Sequence, residues 1–471
     1  MQTESLERTL RDALRETLDR ELGPDPAWTG SPAARRVAAL ERRRRWPLRE
    51  LAVAAVLSAA GGAALLAGAS NQPGPAGNGW VAFTVEQEDP AGGDSDIDIW
   101  FTALGQEPRR VVGTDTDNID EACPAFSPDG QSLAYGAVEG FGAPEGDAAG
   151  LAAYRAAALV IADVDAQGTV AARLTFDVGD GLPPPCPVWS PDGDRLAFGV
   201  SRTSPINPTR SGEGSEVWIL RPADGHIAVI PDLLAIDLEW SPDGSELAIV
   251  GGVDAFVDGL KDSRIHLYQP SDGTLRTLDG TLGATALTWS PDGGRIAYAG
   301  RGAEPASSLA YDSGGGLRVI EVRTGQQEVL ADAYHAFHGI GPVWSPAGEA
   351  IAYQRTVGTS GERHEVVLLT ADDRSENSGL ASEVVMPHEV TTADGSSLQL
   401  FPSRITWSPD GTYLMYVGGS AQTLVVAVPT DPDAPAAVLA EVAGIVTYDF
   451  YDDVARVPTQ VWQRRPADPA R

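Results

Sequence analysis

A five-residue motif, an aromatic followed by Ser-Pro-Asp-Gly, returns along this chain at near-constant spacing. A repeat of that kind constrains the architecture before any single residue is weighed. Its copies begin at Phe126, Trp189, Trp240, Trp289 and Trp407, and a sixth, begun by Trp344, has Ala347 in place of Asp. Successive copies lie 63, 51, 49, 55 and 63 residues apart, the length of a four-stranded unit with variable loops. Within the motif Pro presets φ at the first corner of a turn, Asp tolerates the second corner, and Gly supplies the positive φ that follows. The motif therefore reads as a hairpin turn with a glycine bulge. The aromatic ends the preceding strand and offers a large apolar surface to the next sheet.

The strand after each turn keeps one register. Three residues past each Gly stand Leu133-Ala-Tyr135, Leu196-Ala-Phe198, Leu247-Ala-Ile249, Ile296-Ala-Tyr298, Ile351-Ala-Tyr353 and Leu414-Met-Tyr416. Two further strand-like runs follow each, such as 217–220 and 227–230 after the second copy. This pattern resembles the TolB-like, WD40-like propeller repeat family over roughly residues 78–455. The resemblance implies an all-β fold, a β-propeller of four-stranded antiparallel blades. Three strand-like runs at 80–83, 97–102 and 110–112 precede the first motif and look like a blade without its innermost strand. A degenerate copy at 445–451, with Phe450 in the aromatic's place, is expected to supply that strand and close a seventh blade. A six-bladed ring is the alternative if 445–451 stays outside it.

The first seventy residues read differently. Leu6, Leu10, Leu14, Leu18 and Leu22 recur every fourth position, an amphipathic helix ended by Gly23-Pro24. After Arg42–Arg45 and Trp46 comes an uncharged run, 51–69. As a helix it would be about 28 Å long, enough to cross a bilayer core. The arginines precede it, so the N-terminus is expected in the cytoplasm. Some fifty residues before the run exceed a signal-peptide n-region, which favours an uncleaved anchor over cleavage after Ala67-Gly68-Ala69. The expected organisation is a cytoplasmic segment 1–46, a transmembrane anchor 47–70, a linker 71–78, a propeller 79–455 and a tail 456–471.

Charge excludes one class of partner. Residues 1–50 carry 11 Arg against 9 Asp and Glu; the remainder carries 23 basic and 57 acidic residues, a balance of −34. Nucleic-acid recognition needs Lys and Arg on phosphates, so nucleic acid is excluded as a partner of the outer part.

Catalytic motifs are sparse. No Gly-x-Ser-x-Gly elbow occurs, and no stretch remains to hold the hydrolase domain that some related propellers carry. His335 and His338 fall close together, short of the ligand set a stable metal site needs, so neither metal nor other cofactor is expected. Asp94-Ser-Asp96-Ile-Asp98 has the spacing of calcium-loop oxygens without the Gly and Glu of an EF-hand, and reads as an acidic turn. Asp120, Glu121, Asp237, Glu239 and Arg404 fall near the starts of innermost strands. With the two histidines they form the expected ligand-facing rim of the channel. Cys123 and Cys186 each lie three residues before the motif aromatic and precede Pro. They occupy equivalent places on adjacent innermost strands, which converge at the channel, and are expected to form a disulfide if the propeller is outside the cytoplasm.

The expectation for function is a non-enzymatic protein- or ligand-binding propeller on the outer side of a bacterial cytoplasmic membrane. It would be anchored through 51–69, with an envelope protein or small ligand as partner. Two alternatives stand beside it. One is a transmembrane regulator laid out like membrane-bound anti-sigma factors; the other is an enzyme in the propeller mouth, such as a carbohydrate lyase.

Overall fold

A computed structural model describes residues 79–87, 96–112, 119–139, 156–179, 182, 184–200, 215–252, 263–300, 315–334, 341–357, 363–370, 382–386, 389–391, 397–399, 403–418, 423–430, 436–442 and 460–462. The amphipathic helix, the anchor run, the linker, His335, His338 and segment 445–451 lie outside these residues. Among the described residues no helix is long and apolar enough to cross a membrane.

Seven four-stranded antiparallel sheets form the blades. Blade 1 holds Val81–Gln87, Asp96–Ala103 and Gln106–Val112, and blade 2 holds Ile119–Phe126, Ser132–Glu139, Ala156–Val164 and Val170–Gly179. Blade 3 is Val188–Trp189, Leu196–Val200, Glu216–Arg221 and His226–Pro231; blade 4 is Leu234–Trp240, Leu247–Gly252, Arg264–Gln269 and Thr274–Thr277. Blade 5 is Ala284–Trp289, Arg295–Gly300, Gly315–Glu321 and Gln327–Tyr334; blade 6 is Val343–Trp344, Ala350–Val357, Arg363–Thr370 and Ser382–Val385. Blade 7 is Ser403–Trp407, Tyr413–Gly418, Thr423–Pro429 and Ala437–Val442, preceded by a separate hairpin, Glu389–Thr391 with Ser397–Gln399.

The ring closes on a strand other than the expected one. Gln460–Trp462 lies antiparallel to Val81–Gln87, pairing Trp462 with Val81 and Gln460 with Phe83. It fills the innermost place of blade 1, where 445–451 was expected, and it lies in the stretch expected to be tail. Its signal is the dipeptide Val461-Trp462, which matches the innermost strands Val188–Trp189 and Val343–Trp344. The register matches too: Trp189 faces Leu196 and Trp344 faces Ile351, the second-strand positions equivalent to Val81. Phe450 carries the aromatic without that valine.

Apolar burial is concentrated at the seams between blades. Seven apolar clusters fill seven seams, including blade 7 against blade 1, where Met415, Val425 and Leu439 meet Val81, Phe83 and Val85. The Thr102 hydroxyl, fully buried, donates to the Leu439 carbonyl at 2.7 Å across the same seam. Each sheet thus covers both faces with its neighbours, and closure removes the uncovered pair of faces that an open arc would leave.

The motif aromatics stitch the seams backward. Trp240 packs with Ala197, Val217 and Ile219 of the preceding blade 3, and Trp344 with Ala297 and Ala299 of blade 5. The expected packing against the following sheet is therefore reversed. In four copies the indole N–H adds a bond in the same direction, donating to the carbonyl of the residue before the preceding blade's aromatic. Trp189 reaches Ala125 at 3.0 Å, Trp240 Val188 at 3.3 Å, Trp289 Glu239 at 3.3 Å and Trp407 Val343 at 3.1 Å. Trp344 instead donates to Gly348 in its own turn.

Asp in the motif does more than tolerate a corner. In each Asp-containing copy its carboxylate accepts the preceding Ser hydroxyl and an amide two residues on, as Asp243 does from Ser241 at 2.6 Å and Ser245 at 3.0 Å. The Ser oxygen accepts the amide five residues ahead, as Ser241 does from Glu246 at 3.0 Å. Gly takes positive φ, 69° at Gly244. These bonds hold Asp243 and Asp292 below the ordinary carboxylate range, the Ser hydroxyl bond contributing most.

Candidate functional site

Cys123 and Cys186 are joined in a disulfide with Cα atoms 4.9 Å apart, and both are buried. Cys123 sits in a bulge between Ala122 and Ala125 and takes φ of 56°, a backbone region that non-glycine residues rarely occupy. The bulge sets Cys123 against the segment leading into the inner strand Val188–Trp189, where Cys186 stands. Gly136, opposite Ala122, completes the close approach: a Cβ there would meet the Pro185 carbonyl oxygen at 2.4 Å.

The rim carboxylates are largely engaged by backbone. Asp120, buried, accepts the Ile97 amide of blade 1 at 3.1 Å. Asp237 accepts Leu238 at 3.0 Å through one oxygen and Leu287 of blade 5 at 2.8 Å through the other. Glu239, two residues on, accepts the Trp289 amide of blade 5 at 3.2 Å. Asp237 and Glu239 thus meet at one seam, between blades 4 and 5, while Asp120 and Glu121 belong to blade 2. Burial, with the nearby Asp237 charge, pushes the Glu239 carboxyl up to about 8 despite the stabilising amide. Glu121 is buried beside Tyr135, whose phenol is pushed up by burial first and by the Glu121 charge second. Arg404 lies on the innermost strand Ser403–Trp407 of blade 7. Asp98, from the expected acidic turn, is fully buried and pairs with Arg110 at 3.1 Å. Among the described residues no group of three His, Cys, Asp or Glu is gathered to hold a metal ion.

A second place was not expected. On the side of the ring bearing the Ser-Pro-Asp-Gly turns, a groove of about 540 Å³ opens between blades 3 and 4. Asp192, Asp194, Arg195, Arg221, His226 and Ala228 line its blade 3 side. Arg195 is held in place: its guanidinium lies 4.6 Å over the Trp240 ring, and Nη2 donates to Gly244 O and Asp192 Oδ2, each at 3.0 Å. Arg221 and His226 are cross-strand partners, as are Ile219 and Ala228, so the apolar seam turns polar at its outer end. The sequence does carry a signal. Counted in register, Ala228 stands where blades 2, 4, 5 and 6 have Leu174, Arg276, Glu328 and Val384.

No family model matches the chain, and no curated protein does. Solved structures do. A periplasmic gluconolactonase of Pseudomonas aeruginosa is 16% identical, with 82% of this chain and 99% of that one covered and a TM-score of 0.49. Hydrazine synthase of Kuenenia stuttgartiensis is 17% identical over 77% and 97%, with a TM-score of 0.46. An acylaminoacyl peptidase of Pyrococcus horikoshii is 12% identical over 76% of this chain and 50% of that one, with a TM-score of 0.49. The chain is a seven-bladed β-propeller, as its own sheets and seams establish.

Proposed function

We propose that this propeller is a binding module of the TolB-like, WD40-like repeat type, held outside the cytoplasm by an uncleaved anchor at 51–69. The observation that carries the reading is how the inner-strand carboxylates are used. Asp120, Asp237 and Glu239 direct oxygens to backbone amides of neighbouring blades, which makes them ties between blades. General acid–base work needs a group within reach of a substrate proton. The Cys123–Cys186 bridge supports an oxidising compartment. One feature favours a propeller-mouth enzyme instead: Glu239 holds its proton near neutral pH, as a general acid does.

A reporter fused after Arg471 tests the placement, with activity expected only outside the cytoplasm and a mature N-terminus at Met1. A mature N-terminus at Ser70, or a reporter active inside, overturns it. For the binding reading, the melting temperature of the purified chain is screened against soluble envelope sugars, peptides and organic acids. At least one is expected to raise it without being consumed. Turnover of a sugar polymer that is lost in Glu239→Gln would establish the enzyme reading in its place.

A further inference from the structure

We propose that the groove between blades 3 and 4 binds a small hydroxylated carboxylate, with the carboxylate seated against Arg195, Arg221 and His226. The proposal rests on the binding-module reading and names its ligand class.

The argument begins with what the equivalent place holds elsewhere. In blade 4 the residue before the second strand is Glu246, and outer-strand Arg276 reaches back to it at 3.1 Å. Opposite charges from one blade thus fill that blade's outer seam. In blade 5 the signs at the two positions are exchanged: Arg295 opens the second strand, and Glu328 stands at the outer-strand register position, although no ion pair joins them among the described residues. Blade 3 has the cation, Arg195, but the outer-strand position is Ala228. Blade 3 has no acid at this outer-strand position, and the small Ala228 lines the groove there. Blade 7 also has an alanine there, Ala437, but Tyr413 takes the cation's place.

Arg195 is built to receive an anion. Stacking on Trp240 and the two bonds from Nη2 fix the guanidinium plane, and its side chain is 24% exposed. Among the described residues, Nε and Nη1 donate to no protein acceptor. Both Nη2 hydrogens are taken, so Nη1 and Nε each offer a separate charge-assisted donor to a carboxylate oxygen. Arg221, on the adjoining strand, is tied through Nε to Asp224 at 3.2 Å, a half-exposed pair that contributes little in water and leaves both Nη groups to donate.

The acids lining the groove define the rest of the ligand. Asp192 is already committed, accepting Ser190 Oγ, Asp194 N and Arg195 Nη2. Asp194 is exposed at the mouth and suits hydroxyl donors on the ligand's far side. Ser245, Gln269 and Ser271 add neutral polar contacts from blade 4, and Ile219 and Pro270 an apolar floor. About 540 Å³ suits a small molecule, and mixed polar groups over an apolar floor are the usual lining of such a site.

Isothermal titration of the purified full-length chain tests this with glucuronate, citrate and glucose. Glucuronate and glucose share a ring and differ in carboxylate against hydroxymethyl. Glucuronate is expected to bind at least tenfold more tightly than glucose. Ala228→Leu, which restores the bulk that blade 2 has at Leu174, should weaken glucuronate at least tenfold with an unchanged urea midpoint. Arg195→Gln should abolish the preference over glucose. Glucuronate binding that is untouched by Ala228→Leu overturns the site, as does equal binding of glucuronate and glucose. Absence of heat from both carboxylates at 10 mM overturns it as well. An uncharged ligand that raises the melting temperature equally in the wild type and Ala228→Leu refutes the groove while leaving the binding module standing.

Discussion

Replacing Glu239 by Gln should stabilise the propeller, and the gain should grow with pH. In the unfolded chain this carboxyl ionises around its ordinary value of 4.5; in the fold it holds its proton to about 8. Folding therefore takes up a proton in this window, and stability falls as pH rises from 4.5 to 8, then levels off. Each unit is worth up to about 1.4 kcal/mol. At pH 7 some 2.5 units separate the unfolded value from the solution, an upper bound of about 3 kcal/mol. Glu239 keeps partial exposure beside the inner strands, so water softens the desolvation and about 1–3 kcal/mol is expected. Gln preserves the shape and the oxygen that accepts the Trp289 amide, and never ionises. Urea unfolding followed by tryptophan fluorescence should show coincident midpoints at pH 4.5 and a higher midpoint for the variant at pH 7 and 8.5. A constant offset across that range, or a destabilised variant at pH 8.5, would mean that Glu239 is ionised in the fold and that the seam between blades 4 and 5 tolerates its charge.

Three further outcomes are expected. Ala347→Asp should restore the sixth turn by accepting the Ser345 hydroxyl and the Glu349 amide, adding about 0.5–1.5 kcal/mol, read as a raised urea midpoint. The Cys123–Cys186 bridge closes 63 residues. Removing it as Cys123→Ala with Cys186→Ala should cost about 4 kcal/mol in the loop-entropy account, and thiol labelling of denatured, unreduced wild type should find no free thiols. Ending the chain after residue 455 should unfold blade 1 and raise protease sensitivity at Val81–Gln87, while ending it after residue 463 should leave resistance unchanged; equal resistance would contradict closure by Gln460–Trp462.

The repeat made the blades legible because a blade's hairpin is a local object. Pro, Asp and Gly set the turn by their own backbone preferences, and the alternation in Leu196-Ala-Phe198 or Ile296-Ala-Tyr298 sets the strand that follows. Every blade aromatic in the motif could be assigned to an innermost strand from that pattern alone. The two cysteines could be paired because equivalent positions in successive repeats must be neighbours on a ring. Rim carboxylates could be placed on inner strands by the same counting. Their work could not, since Asp237 and Glu239 bond to amides some fifty residues away, and nothing local marks which oxygen meets which amide.

What the sequence by itself determined is the repeating unit: its turn chemistry, its strand order and the equivalence of its positions, all of which follow from residues within a few steps of one another. Only the tertiary structure decided how units meet. It chose Val461-Trp462 over the segment with Phe450 to close the ring, turned each indole toward the blade behind it, and opened a groove where Ala228 leaves Arg195 without an acid on the outer strand. The physical reason is common to all three. Seams join residues far apart in the chain, and their outcome depends on which side chain fills a shared volume and which donor finds an acceptor across it, quantities that no single repeat contains.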